Sequence, residues 1–257
     1  MTFELIEDES LSRAWGRAVR PMFERGGPKE TAPLCVSIAG FDDGVVREDA
    51  GVRSALDATL DDWNRQSCHT VANTLFPQSL WNPKAPRETL FKRYAFSLPR
   101  LIKASTKNRH GLYFQRMVSG GPTKHPNQLD FVIANFLSRK GVRRSALQLG
   151  VYNPQLDLSA AAQLGFPCLQ QISFAPVRGK QLNVNAFYAT QYAFERAYGN
   201  YLGLCWLGRF VAHELGLTLA RVTCFTGILL RDDLPVGEAR KLKEAIDRAV
   251  GGEGGSR

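Results

Sequence analysis

Residues 167–190 read PCLQQISFAPVRGKQLNVNAFYAT, two apolar-rich runs at 169–176 and 182–190 joined through Arg178, Gly179 and Lys180. Ile172, Phe174, Val184, Phe187 and Tyr188 supply the β-branched and aromatic side chains that strands favour, and the glycine-centred break predicts a hairpin. Ten residues on, Asn200 to Leu215 (NYLGLCWLGRFVAHEL) is apolar nearly all round, which predicts a central, buried helix. Ala220 to Leu230 reads as one more strand, followed by a Pro/Gly break and a charged helix from Glu238 to Val250.

Upstream of the hairpin, 127–140 (NQLDFVIANFLSRK) puts Leu129, Val132, Ile133 and Phe136 on one face and stops on a basic turn and Gly141, as helices do. Ser145 to Tyr152 reads as a strand, and His110 to Arg116 as a short strand opened by Gly111. Closer to the N-terminus, 8–25 is an amphipathic helix after Ser10, Pro33 to Gly40 a strand, and 54–63 and 88–105 are helices. Prolines 77, 83 and 86 mark a loop, and the tail GGEGGSR is expected to be disordered.

The 257 residues, 44% hydrophobic and 22% charged, are enough for one large core, and one mixed α/β (α+β) domain is expected. A net charge of +9 favours anionic partners. Nucleic acid is the least favoured of these, because no aromatic stacking motif or docking module accompanies the charge. Five cysteines without a CxxC pair argue against a disulfide framework and against a zinc site, so a reducing compartment fits. The start, MTFELIEDES, has no basic segment leading an apolar run, and no stretch nears the roughly 20 apolar residues of a membrane span, so a cytoplasmic protein is expected.

A set of short words falls in one order: Gly141-Val142-Arg143-Arg144, Tyr152-Asn153, Phe166-Pro167-Cys168, Ser173-Phe174, Gly179-Lys180-Gln181-Leu182, and the helix led by Asn200. In these the chain resembles the thymidylate synthase and deoxycytidylate hydroxymethylase family, over residues 111 to 227 or thereabouts. The resemblance implies a three-layer fold with a twisted mixed sheet, a homodimer with shared sites, and a pyrimidine nucleotide as substrate. It further implies 5,10-methylenetetrahydrofolate as donor and one-carbon transfer to C5 of the ring. Cys168 takes the place of the nucleophile, Arg143 and Arg144 that of an anion-binding pair reaching the neighbouring subunit, Thr190 that of a hydroxyl contact, and Asn200 that of the residue reading the base edge.

The chemistry makes sense of these types. An unactivated pyrimidine becomes nucleophilic at C5 only after temporary addition at C6, and a thiolate suits that addition. Arginine holds phosphate by charge-assisted bonds, and an asparagine amide donates to a carbonyl while accepting from an N–H, which suits uracil. Asn200 equally fits a helix N-cap after Gly199. Arg143 and Arg144, adjacent on a strand, would point to opposite faces, one of them inward. Free cysteines are commonly small buried hydrophobes, the reading taken for Cys35, Cys205 and Cys224, with Cys68 left open. His213, inside the buried helix, reads as a hydrogen-bonded structural histidine.

The departures are specific. Ala189 stands where the family has an arginine touching phosphate and thiol, Tyr192 replaces an aspartate, and Ile228-Leu229-Leu230 replaces the residues that hold the nucleotide sugar. No residue matches the early glutamate of folate chemistry. Two functions are therefore carried forward: a one-carbon transferase acting through Cys168, and a divergent protein that binds a nucleotide or partner without folate-dependent catalysis.

Overall fold

The computed structural model describes residues 4–105, 108, 111–120, 124–138, 141–158, 166–233, 235, 237 and 239–251. In the first half, β1 (Glu4–Asp8) leads to α1 (Leu11–Val19), β2 (Glu30–Thr31), β3 (Leu34–Ile38) and the small ladder of β4 (Phe41–Asp42) with β5 (Val45–Val46). Helices α2 (Ala50–Asp62), α3 (Cys68–Leu75), α4 (Arg87–Lys103), α5 (Tyr113–Val118) and α6 (Gln128–Ser138) follow. The second half holds β6 (Gln148–Gly150), α7 (Pro154–Asp157), β7 (Leu169–Val177), β8 (Gln181–Tyr192), a π-helical turn (Ala193–Ala197), α8 (Tyr198–Leu215), β9 (Thr218–Leu230) and α9 (Arg240–Gly251).

The principal sheet runs β1-β3-β9-β8-β7-β6, with β2 also pairing β9. It is mixed: β1/β3 and β8/β9 are parallel, while β3/β9, β7/β8 and β6/β7 are antiparallel. Along β8, Leu182, Val184, Ala186 and Tyr188 are buried while Gln181, Asn185, Phe187 and Ala189 are exposed, the alternation of a sheet covered on one face. Helix α8 lies on the covered face against β8 and β9, α1 lies against β1 and β3, and α3 and α9 pack onto those helices.

The approach of α3 to α8 depends on two glycines. A Cβ on Gly199 would stand 2.6 Å from Val71 Cβ, and one on Gly203 2.7 Å from Leu75 Cβ, so only hydrogen at these positions lets the helices meet. Ser10 caps α1 as its sequence suggests, accepting from the Arg13 amide, and the hairpin between β7 and β8 turns on Gly179 and Lys180, both at positive φ.

Four expectations need correction. The segment after Gly111 is the helix α5, because Phe114 and Met117 are spaced to bury one helical face, and Gln115 reaches back to the Leu112 amide; His110 lies outside the described residues. Arg143 and Arg144 do not sit on a strand. The Arg143 carbonyl accepts from the Ala146 amide to close a 3-10 turn over Arg144–Ala146, and β6 starts only at Gln148, where burial has begun with Leu147. Asn200 does not open its helix, since α8 begins at Tyr198 and the π-helical turn precedes it. His213 is exposed on α8, although its Nε2 does bond the Pro83 carbonyl oxygen at 3.0 Å. Of the tail, Gly251 still belongs to α9 and 252–257 lie outside the described residues. Among the described residues no helix is long and apolar enough to cross a membrane.

Candidate functional site

Cys168 sits at the start of β7, directly after Pro167, whose ring nitrogen has no hydrogen to offer a ladder. The Cys168 carbonyl accepts from the Ala189 amide of β8 at 2.9 Å, which fixes the two strands side by side at this level. One residue along β8, the Thr190 hydroxyl donates to the Cys168 sulfur across 3.7 Å. The side chain of Gln170 folds back to donate to the Pro167 carbonyl and steadies the turn into the strand.

The thiol opens on a cleft of about 230 Å³. Its walls include Phe166, Pro167 and Cys168 before and at the β7 start; Tyr113 and Arg116 on α5, with Asn108, Gly111 and Leu112 ahead of it; Val71 and Thr74 on α3 with Gln66 before it; and Arg196 and Asn200 from the π-helical turn and α8. Asn200 is 3% exposed, yet its side-chain amide has no hydrogen-bond partner among the described residues and is presented to the cleft. A buried amide left open toward a cavity is one that a ligand can complete.

The two cations of the wall differ in state. Arg116 donates from Nη1 to both Asp157 carboxylate oxygens, at 2.9 and 2.8 Å, so its charge is matched. Arg196 donates to the Gln66 amide oxygen at 2.8 Å and faces no carboxylate among the described residues. Burial pushes the Tyr113 phenol up from its ordinary value, nearby Cys168 adds to that, and Arg196 and Arg116 oppose it; the hydroxyl stays protonated at neutral pH.

Among the described residues this lining contains no Asp, Glu or His. An adjoining chamber of about 470 Å³ shares Gln66, Thr74, Asn108 and Leu112 with the cleft, and its described lining mixes hydroxyl and amide side chains with aliphatic ones such as Leu80 and Leu101 and holds one cation, Arg100. The other cysteines are not part of the site. Cys68, Cys205 and Cys224 are buried, with burial raising Cys224 to about 12, and Cys35 is half-buried on the open face of the sheet.

Of the residues expected from sequence, Cys168 and Asn200 line one cleft, and Thr190 touches the Cys168 sulfur from the next strand. Arg143 and Arg144 do not join them. Both are exposed, and Arg144 lines a separate depression with Phe136, Val142, Pro176 and Arg178. Sequence reasoning missed Arg196, Tyr113 and Gln66. A signal exists for Arg196: it is four residues before Asn200, the spacing of one helical face, but it falls ahead of the helix expected from Asn200.

No family model matches the sequence, and no curated protein matches it significantly. What the fold and cleft define is a mixed-sheet α/β protein with a half-buried cysteine and a buried asparagine lining one cleft.

Proposed function

We propose that this chain is a thymidylate-synthase-like protein that binds a pyrimidine nucleotide and acts at C5 of the ring through Cys168. The observation that carries the proposal is that Cys168, with the Thr190 hydroxyl on its sulfur, shares one cleft with the open Asn200 amide, as the resemblance leads one to expect. In this reading the Cys168 sulfur forms a bond to C6, the C5=C6 pair moves toward the O4 carbonyl as an enolate, and Asn200 donates to an oxygen of the ring. Uptake of a solvent proton at C5 and loss of the original one, followed by expulsion of the sulfur from C6, restores the double bond and exchanges the C5 hydrogen.

By resemblance the one-carbon donor is 5,10-methylenetetrahydrofolate. The described lining of the cleft and its adjoining chamber offers no carboxylate or imidazole to exchange protons with such a donor and no aromatic face in the chamber, so the residues do not fit a folate and no step is derived through it. The same observation favours the alternative of a divergent nucleotide-binding protein without folate-dependent catalysis.

A homodimer belongs to the proposal. Leu5, Cys35, Phe225 and Phe187 are neighbours across four strands on the uncovered face, with Leu5 54%, Phe187 42% and Phe225 37% exposed. An apolar row of this kind is what a second copy would cover. Exposed Arg143 and Arg144, standing outside their own chain's cleft, suit a role at the partner's site.

The test is intact-protein mass spectrometry with 5-fluorouridine and 5-fluorodeoxyuridine monophosphates, together with exchange of the C5 hydrogen of the unsubstituted nucleotides into deuterated water. An adduct on Cys168 or exchange lost in Cys168→Ser is expected. Binding without adduct or exchange would leave the non-catalytic reading, and no binding of any pyrimidine nucleotide would remove both.

A further inference from the structure

Arg196 is carried on a π-helical turn, an uncommon element that recurs at functional sites. The turn is pinned on every side. The buried Asp232 carboxylate accepts from the Phe194 and Glu195 amides at 3.2 and 2.6 Å, the Trp15 indole donates to the Ala193 carbonyl at 2.8 Å, and Glu195 pairs with Arg65 at 2.7 Å. Arg196 itself is half-buried and leans on the neutral amide of Gln66, in the cleft that Cys168 and Asn200 line. A cation held in a partly desolvated cleft without a carboxylate beside it lowers its energy by drawing in an anion. The strand position at which the resemblance expects an arginine is Ala189, a methyl group.

We infer that Arg196 is the anion ligand of the cleft and selects a ligand whose oxyanion lies one helical turn from the edge met by Asn200. This rests on the proposed nucleotide-binding reading and names the group that takes over the charge missing from β8. The shared chemistry is a terminal oxyanion, either a 5′-phosphate or a carboxylate carried on the ring. Gln66 sets the guanidinium plane by accepting one N–H, leaving the remaining donors for the ligand.

The closing experiment has two arms, each run on the full chain, Arg196→Gln and Arg196→Lys. In the first, Cys168 is alkylated with anionic iodoacetate and with neutral iodoacetamide, and the ratio of the two rates is read at the Cys168 peptide by mass spectrometry. Arg196→Gln is expected to lower the ratio several-fold and Arg196→Lys to keep most of it; an unchanged ratio in Arg196→Gln overturns the inference, whatever nucleotides do. In the second, affinities for uridine, uridine 5′-monophosphate and 5-carboxyuridine are compared. Loss of the phosphate preference, or of the carboxylate preference, by about tenfold in Arg196→Gln identifies the source of the oxyanion. If the alkylation ratio falls as expected while none of the three compounds binds, the nucleotide reading fails and the anion site stands. Equal preferences in native protein and Arg196→Gln count against the inference.

Discussion

The Thr190 hydroxyl on β8 and the sulfur of Cys168, the residue directly before β7, stand 3.7 Å apart, and their relation is set by the backbone bond from the Ala189 amide to the Cys168 carbonyl. A weak donor to sulfur steadies a developing thiolate without occupying the cleft. Thr190→Val, which keeps the shape and removes the donor, is expected to slow adduct formation at Cys168 several-fold while leaving nucleotide affinity nearly unchanged. Cys168→Ser is expected to abolish the adduct with binding preserved. Equal adduct rates in native protein and Thr190→Val, followed by mass spectrometry, would remove the hydroxyl from the mechanism.

Asn200 offers a way to separate a ligand role from a structural one. Its amide has no partner among the described residues, so Asn200→Ala breaks no internal hydrogen bond there, and thermal stability should change little. Affinity for uridine nucleotides should fall about tenfold, and Asn200→Asp should shift preference toward cytidine nucleotides. A large loss of stability in Asn200→Ala with unaltered affinity would mark the residue as structural.

Helix contact at Gly203 predicts a purely architectural effect. An added Cβ would lie 2.7 Å from Leu75 Cβ and 2.8 Å from the Ala72 carbonyl oxygen, so Gly203→Ala should force α3 away from α8. Overpacking of this kind costs about 1–3 kcal/mol, or a fall in Tm of roughly 2–12 °C for a chain this size. Calorimetry reads the shift, and because α3 supplies Val71 and Thr74 to the cleft, nucleotide affinity should fall with it.

Burial raises the Asp232 carboxyl from 3.8 to about 7, against the lowering effect of the amides it accepts from. The folded chain therefore holds this proton more tightly than the unfolded chain, and the stability contributed by the protonated group is full below about pH 4 and is lost as pH rises through 7. Asp232→Asn keeps an acceptor for the Phe194 and Glu195 amides and cannot ionise, so its stability should lose this part of the pH dependence. Urea denaturation between pH 5 and 8 provides the comparison, and parallel curves for the two proteins would show that Asp232 does not titrate there.

The open face of the sheet leads to the oligomer prediction. Phe187 and Phe225 are register partners with ring centroids 5.7 Å apart, and a charge placed between two such faces would be buried without a partner. Phe187→Glu should yield a monomer in sedimentation at micromolar concentration, where the native chain is expected to be a dimer. A native monomer at that concentration would count against the shared-site arrangement.

Periodicity along the chain was sufficient to read α6, the β7–β8 hairpin, α8 and β9, because each encodes in adjacent residues which side faces the core. Cys168, Thr190 and Asn200 were legible through the resemblance of the words around them, which lie on or beside those patterned elements. Where pattern was short it misled. The run after Gly111 has too few residues to separate a period of 2 from 3.6, and only packing of Phe114 and Met117 into the core selects the helix α5. Arg143 and Arg144 precede the first buried residue of their segment, so nothing local tells a turn from a strand there. β1 and α3 escaped notice altogether, β1 because it is a short edge strand and α3 because its place depends on Gly199 and Gly203 far along the chain. The sequence by itself determined the mixed α/β class and the cysteine, threonine and asparagine worth following. The cleft that joins the cysteine and the asparagine to Arg196, Tyr113 and Gln66 was decided only by tertiary structure, since it arises from the β7–β8 register and the α3–α8 crossing, contacts between residues tens of positions apart that no local pattern records.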